Sequence, residues 1–168
     1  MTTQANRIDL DTPLCDGRQS AAALRVWRGA ARLLRGHGFA CVAELTLASG
    51  RRADLAALGP KGEIWIVEVK SSLADLRADT KWPDYRAFCD RLFFASHADV
   101  PQDVFPPDAG FILSDGYGAE ILREAPEHRL AAARRKAVTL RFAQAAAIRL
   151  HGLQDPGLGG MERDPGLL

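Results

Sequence analysis

Cysteine is scarce in this sequence and badly spaced for metal chemistry. Its three cysteines, Cys15, Cys41 and Cys89, are odd in number, far apart and form no CxxC pair. That argues against a zinc site and favours reduced thiols. The four histidines, His37, His97, His128 and His151, are scattered without HExxH or related spacing, and none is assigned a catalytic role. There is no GxxxxGK[ST] to cradle nucleotide phosphates, no GxGxxG after a strand and no GxSxG elbow. No apolar run approaches the roughly 20 residues that span a bilayer. The first ten residues lack the basic start and apolar run of a signal peptide. Net charge is lacking too: at +1, any affinity for nucleic acid must come from local patches. The expectation is a cytoplasmic protein.

What is present is enough apolar sequence for one core. Of 168 residues, 47% are hydrophobic and 26% charged, which suits a single domain. Residues 1–15 are polar and unpatterned and read as a flexible arm; residues 154–168, rich in Gly and Pro, read as a flexible tail. The domain is expected over 16–153. Leu24, Trp27, Ala31 and Leu34 recur at helical spacing within residues 18–35, and Gly36 and Gly38 stop that helix. Arg25, Arg28, Arg32 and Arg35 share the spacing on the adjoining face as one basic stripe. Segments 39–47, 51–58 and 63–70, joined by Ala-Ser-Gly and Gly-Pro-Lys-Gly turns, read as an antiparallel meander. A helix is expected from Pro83, short strands at 91–95 and 110–113, and an edge strand at 118–122. From Pro126 to Leu150 the pattern is helical, with a break near Thr139. The order implies one α/β layer structure.

The chemistry concentrates on the second and third strands. Asp54 follows Arg51-Arg52-Ala53, and Glu68-Val69-Lys70 ends the third strand. Alternate strand residues share a face, so Ile64, Ile66, Glu68 and Lys70 point one way and Trp65, Val67 and Val69 the other. Both faces begin apolar, as in a strand covered on both sides. A carboxylate and an ammonium at the end of such a strand are costly unless paired or bound to a cation. Asp54 and Glu68 offer hard oxygens suited to Mg²⁺ or Mn²⁺, and the Val69 carbonyl could add a third. Lys70 would then orient water or stabilise developing charge. The plainer alternative is a surface pair with a strand-end acid. Glu44 interrupts the apolar run of the first strand; it is either a further carboxylate beside the pair or an exposed acid.

Glu44, Arg51-Arg52-Ala53-Asp54, Ile66-Val-Glu68-Val-Lys70 and Lys81-Trp82-Pro83-Asp84-Tyr85 together resemble the PD-(D/E)XK nuclease superfamily. Within it they look like the MmcB-type DNA repair proteins of alphaproteobacteria, over about residues 18–150. The resemblance implies a restriction-endonuclease-like core, a central mixed sheet flanked by helices. It also implies Asp54 and Glu68 as metal ligands and Lys70 as the catalytic lysine. Ala53 stands where the motif's proline would be; that proline shapes backbone and carries no chemistry.

Candidate DNA contacts surround this motif. Arg51, Arg52 and Lys81 can meet phosphates, and Trp82 and Tyr85 can stack on unpaired bases or plug the core over the sheet. The core is the preferred place for the two aromatics. Arg28 and Arg32 on the first helix, and Arg134 and Arg135 beside Lys136, are either backbone contacts or solvated faces. Asp75, Asp79 and Asp84 read as surface acids or caps. No helix-turn-helix or finger signature suggests base readout, so specificity is expected for DNA structure. The leading expectation is a Mg²⁺-dependent DNA endonuclease in repair, with DNA and other repair proteins as partners. The alternative is a non-catalytic DNA-binding or scaffold protein on a nuclease fold.

Overall fold

The computed structural model describes residues 20–156. The expected arm over 1–15 and most of the expected tail lie outside them. Helix α1 (Ala21–Gly36) starts where Ser20 Oγ accepts a hydrogen bond from the Ala23 N–H. It ends at His37 and Gly38, whose φ of 85° suits glycine. Its buried face is Val26, Ala30, Ala31 and Leu34, while Leu24 and Trp27 are only half-buried. The apolar stripe is therefore rotated from the one expected through Leu24 and Trp27.

Strands β1 (Ala40–Thr46), β2 (Arg52–Leu58) and β3 (Ile64–Val69) form the meander. Then β4 (Arg91–Ser96) and β5 (Gly110–Ser114) follow in parallel to β3, and β6 (Ala119–Arg123) returns antiparallel. The six strands lie in sequence order, giving the mixed α/β sheet that the sequence implies. Parallel pairs need long crossovers. The first carries helix α2 (Leu73–Ala78) and a 3₁₀ helix at Trp82–Phe88; the second carries a 3₁₀ turn at Gln102–Val104. The helix expected from Pro83 is thus 3₁₀ rather than α. Helix α3 (Ala132–Gln154) is continuous through Thr139, so the expected break is absent, and it runs past Leu150. Val138, Phe142 and Ala145 bury one face across that point, and tertiary packing outweighs the weak helix propensity of a lone threonine.

Three apolar clusters hold the layers. Helix α1 covers one face of the sheet, through Val26, Ala30, Leu34, Leu55, Val67 and Phe93. Helix α3 and the first 3₁₀ helix cover the other, through Ile64, Ile66, Tyr85, Phe88 and Phe142. Phe94, Phe105 and Phe111 stack in a third cluster with Leu76 of α2. Each such fully buried side chain contributes roughly 1.5–3 kcal/mol of transfer free energy. The parallel run of β3, β4 and β5 brings Val69, Ser96 and Ser114 to one end of the sheet. Arg52 at the start of β2 and Thr46 at the close of β1 reach the same end, because those strands run opposite to their neighbours.

Candidate active site

At that end of the sheet the β2–β3 ladder gives way to side chains. Regular pairing stops at Leu55 opposite Val67. One step further, the Asp54 N–H donates to Glu68 Oε1 (3.3 Å) and the Val69 N–H donates to Asp54 Oδ2 (2.8 Å). Each carboxylate is thus oriented by backbone of the facing strand. Among the described residues, Asp54 Oδ1 and Glu68 Oε2 accept no backbone hydrogen bond. The sequence places both acids on the buried part of a strand, and the structure brings them side by side.

Their electrostatics follow from that crowding. Glu68 is only 3% exposed. Burial, then the neighbouring Asp54 charge, push its carboxyl well above the ordinary value, against the pull of Lys70. Burial pushes Asp54 up to about 6, while the Val69 N–H and Lys70 restrain it and Glu44 and Asp75 add to the rise. Burial works against the Lys70 ammonium, but the Asp79 hydrogen bond and the charges of Glu68, Asp79 and Asp54 overcome it and raise its pKa. Lys70 Nζ lies 2.7 Å from Asp79 Oδ2 and 3.9 Å from Glu68 Oε2.

Glu44 stands on β1 opposite Asp54: the flanking pairs are Ala43 with Leu55 and Leu45 with Ala53. It is buried, pairs with Arg52 Nη1 at 3.2 Å and has φ 47°. A non-glycine residue in that left-handed region costs of order 1–3 kcal/mol and marks places the surroundings over-determine. Here the surroundings are visible. Arg149 of α3 donates to the carbonyls of Ala43 and Glu44, the latter at 3.1 Å.

Among the described residues, no group of three or more His, Cys, Asp and Glu side chains is arranged to hold a metal ion. The donors present nonetheless suit a hard cation. Asp54 and Glu68 supply only oxygen, their charges repel, and burial leaves both short of solvation. A Mg²⁺-type ion binds through one or two carboxylates and keeps several waters, so two ligands are sufficient.

The other expected residues separate into groups. Arg51 is held by Asp84, with Nε and Nη2 at 2.9 and 2.6 Å from Oδ2. Lys81 is exposed beside the site. Tyr85 is buried and its hydroxyl donates to the Arg52 carbonyl at 2.9 Å; Trp82 packs edge-on against Phe94. Both aromatics therefore serve the packing over the sheet. Arg28 is exposed, and Arg32 Nη1 donates to the Tyr117 carbonyl at 2.8 Å. Arg134 lies 5.0 Å from the Phe88 ring centre. Arg135 forks onto both oxygens of buried Asp90 at 2.7 Å and also reaches the Gly62 carbonyl. Arg134 and Arg135 thus sit at the Ile64 end of β3, away from Asp54 and Glu68. Sequence reasoning missed Asp90 and Arg149, whose partners are distant in the chain, and the pairing of Asp79 with Lys70.

A six-stranded mixed sheet, helices on both faces, and a carboxylate pair with a lysine at its strand ends define an α/β protein with an acidic strand-end site. More specifically, this chain belongs to the family described as DNA repair protein MmcB-like, whose profile matches residues 10–157. It is also similar to a solved structure, a protein of unknown function from Silicibacter pomeroyi. The two share 46% identity and a TM-score of 0.80, over 87% of this chain and 99% of that one. No curated protein matches. Among the described residues, no helix is long and apolar enough to cross a membrane.

Proposed function

We propose that this protein acts in DNA repair as a metal-dependent DNA nuclease hydrolysing phosphodiester bonds. The observation that carries the reading is the crossed pair of half-buried Asp54 and buried Glu68 beside buried Lys70, at the end of one strand pair. The family description supports the repair setting. Asp54 and Glu68 would hold Mg²⁺ or Mn²⁺, with the Val69 carbonyl as the next donor. The metal, when bound, supplies charge to the phosphate oxygen and lowers the pKa of water.

The chain's own residues do the rest. The Val69 and Asp54 N–H groups fix the two carboxylates without needing any movement. Lys70 stays protonated under its acidic neighbours and so carries positive charge towards a phosphate. Packing by Tyr85, Trp82 and Phe94 keeps the floor of the site dry and rigid. Arg51, Arg52 and Lys81 line the approach from β2 and the crossover.

A second reading, a DNA-binding protein without catalysis, is favoured by one observation. Lys70 is closer to Asp79 than to the carboxylate pair. The test is cleavage by purified protein, with Mg²⁺ or Mn²⁺, of duplex, single-stranded, flapped and branched DNA. Wild type should cut, and Lys70→Ala should lose orders of magnitude in rate with only a modest loss of DNA affinity. Wild type inert on every substrate with either metal, yet binding DNA, gives the second reading.

A further inference from the structure

Tyr117 is 83% exposed, the most exposed of the large hydrophobic side chains among the described residues. It sits at the tip of the turn Ser114-Asp115-Gly116-Tyr117-Gly118 between β5 and β6. That turn is fixed, not loose. Asp115 Oδ1 accepts from the Tyr117 and Gly118 N–H groups at 2.8 Å each. The Asp115 N–H and Ser114 Oγ both donate to the Gly118 carbonyl at 3.2 Å.

The turn is also seated on α1. A Cβ at Gly29 would lie 2.0 Å from Ser114 Oγ and 2.4 Å from the Gly118 oxygen, so only glycine admits this approach. A Cβ at Gly116 would lie 3.1 Å from Arg25 Cβ, and Arg32 bonds the Tyr117 carbonyl. The turn that carries the exposed phenol therefore sits on the α1 stripe of Arg25, Arg28 and Arg32, touching it at Arg25 and Arg32. Arg25 and Arg28 are exposed and make no ion pair among the described residues. A rigid exposed ring beside unpaired guanidinium groups is what stacking on a base while meeting phosphates requires.

The surface lies at the functional end of the sheet. β5 ends two strands from β3, about 10 Å at ordinary strand spacing. Ser20, which caps α1, has its Oγ 3.2 Å from that of Ser71, the residue after Lys70. Glu68 shares the sheet face of Ile64 and Ile66 whereas α1 covers the other, so a strand of nucleic acid from Tyr117 would pass over the sheet's end, across β5, β4 and β3, to reach Asp54 and Glu68.

We propose that Tyr117, with Arg25, Arg28 and Arg32, forms a docking platform for single-stranded DNA leading to the carboxylate site. A ring at a turn tip reaches only unpaired bases, which is why the commitment is to single strands rather than duplex. The choice of DNA rests on the function proposed above; the platform itself is tested without catalysis.

The experiment is fluorescence anisotropy of a labelled single-stranded oligonucleotide and of the same sequence as duplex, in chelator, with the full chain. Tyr117→Ala should weaken single-strand binding about tenfold and leave duplex binding within about twofold. Tyr117→Phe, which keeps the ring, should bind like wild type. Arg25→Ala with Arg28→Ala should weaken both ligands and flatten the salt dependence by about 1.4 units for the single strand and about 1.8 for duplex. Thermal unfolding should match wild type for Tyr117→Ala, since the ring is in solvent. Single-strand affinity unchanged in Tyr117→Ala, or lost equally for duplex, overturns the platform. Tyr117-dependent binding by a protein that cuts nothing keeps the platform and overturns the nuclease reading. Cleavage without Tyr117-dependent binding does the reverse.

Discussion

Lys70 and Asp79 form the tightest ion pair at the carboxylate site, Nζ to Oδ2 at 2.7 Å, although Glu68 is nearer to Lys70 in sequence. Asp79 closes α2 as its C-cap, so the crossover that links β3 to β4 also delivers the lysine's counter-ion. Three negative groups, Glu68, Asp79 and Asp54, together hold Lys70 charged despite its burial. The arrangement balances one buried cation against two carboxylates that lack enough partners.

Breaking that pair from one side should cost more than removing it. Asp79→Ala leaves the Lys70 ammonium buried without its closest partner, and about 3 kcal/mol of stability should be lost. Lys70→Met relieves the desolvation of the ammonium and should cost less, about 1 kcal/mol. The double variant should lose well under the sum of the two single losses. Urea unfolding of the four proteins gives the coupling energy directly. Additive losses would mean that Asp79 is a cap and nothing more.

The crossed carboxylates predict an unusual acid limb. Burial, with the Glu44 and Asp75 charges, raises Asp54 to about 6, and burial with the Asp54 charge raises Glu68 well above its ordinary value. Between the unfolded and folded values the native state binds more protons, so stability falls as pH rises through that window. The contribution is fully present below about pH 4 and, for Asp54, is lost above about pH 6; Glu68, raised in the same direction, adds to the loss with the same sign. Metal-free wild type should therefore lose stability from pH 4.5 to pH 7 by about 2 kcal/mol or more. Asp54→Asn should flatten this slope, and a chelated urea series across pH reads it. A wild-type slope of opposite sign would show that the pair is better solvated than its burial indicates.

If Asp54 and Glu68 hold a divalent ion, that ion should stabilise the fold most where they are ionised. At pH 7.5, Mn²⁺ at about a hundred times its Kd should add about 2.7 kcal/mol. Asp54→Asn and Glu68→Gln should each remove the gain while staying folded, and calorimetry should show no binding to either. Equal stabilisation of wild type and both variants would place the ion elsewhere.

How much of this was legible in the sequence depends on the range over which each residue acts. Short apolar runs around Leu55 and Ile66 bounded by Gly-containing turns revealed the strands, because run and turn are signals of adjacent residues. The Asp54–Glu68 placement was readable for the same reason: a hairpin turn sets the register that puts them opposite. α1 was found but rotated, since Val26 and Ala30 bury against β4 and β5 and helical spacing alone does not say which of two adjoining stripes faces in. The 3₁₀ helix at Trp82–Phe88 hid behind a proline signal that α and 3₁₀ helices share. Asp79 was read as a cap, which it is, but its second contact depends on how the crossover folds back. Asp90 and Arg149 carry no local signal, since their partners lie on elements that only the tertiary fold brings near. The Arg134-Arg135 pair shows a contact that adjacency in sequence does not reveal. Adjacent cations suggested one surface patch, whereas Arg135 turns inward to a buried carboxylate.

That inward turn yields the final prediction. Asp90 is 3% exposed and accepts from the Ile64 N–H at 2.8 Å, the Leu130 N–H at 2.9 Å and Arg135 at 2.7 Å on each oxygen. Arg135, desolvation by burial and these N–H groups compete on its carboxyl, and the balance holds it below the ordinary value. Its charge therefore pins the start of β3, the segment before α3 and α3 itself to one point. Asp90→Ala strands two backbone N–H groups and a guanidinium together and should cost about 3–5 kcal/mol. Asp90→Asn keeps one acceptor and loses the charge, and should cost about half as much. Arg135→Ala should cost about 2–3 kcal/mol, because Asp90 retains its two backbone donors. Since the guanidinium is committed inward, Arg135→Ala should leave the salt dependence of DNA binding unchanged, whereas Arg134→Ala should reduce the slope by about one if Arg134 meets a phosphate. Urea unfolding and salt titrations of binding on the same preparations separate the two effects. A reduced slope in a fully folded, undestabilised Arg135→Ala would return Arg135 to the DNA surface.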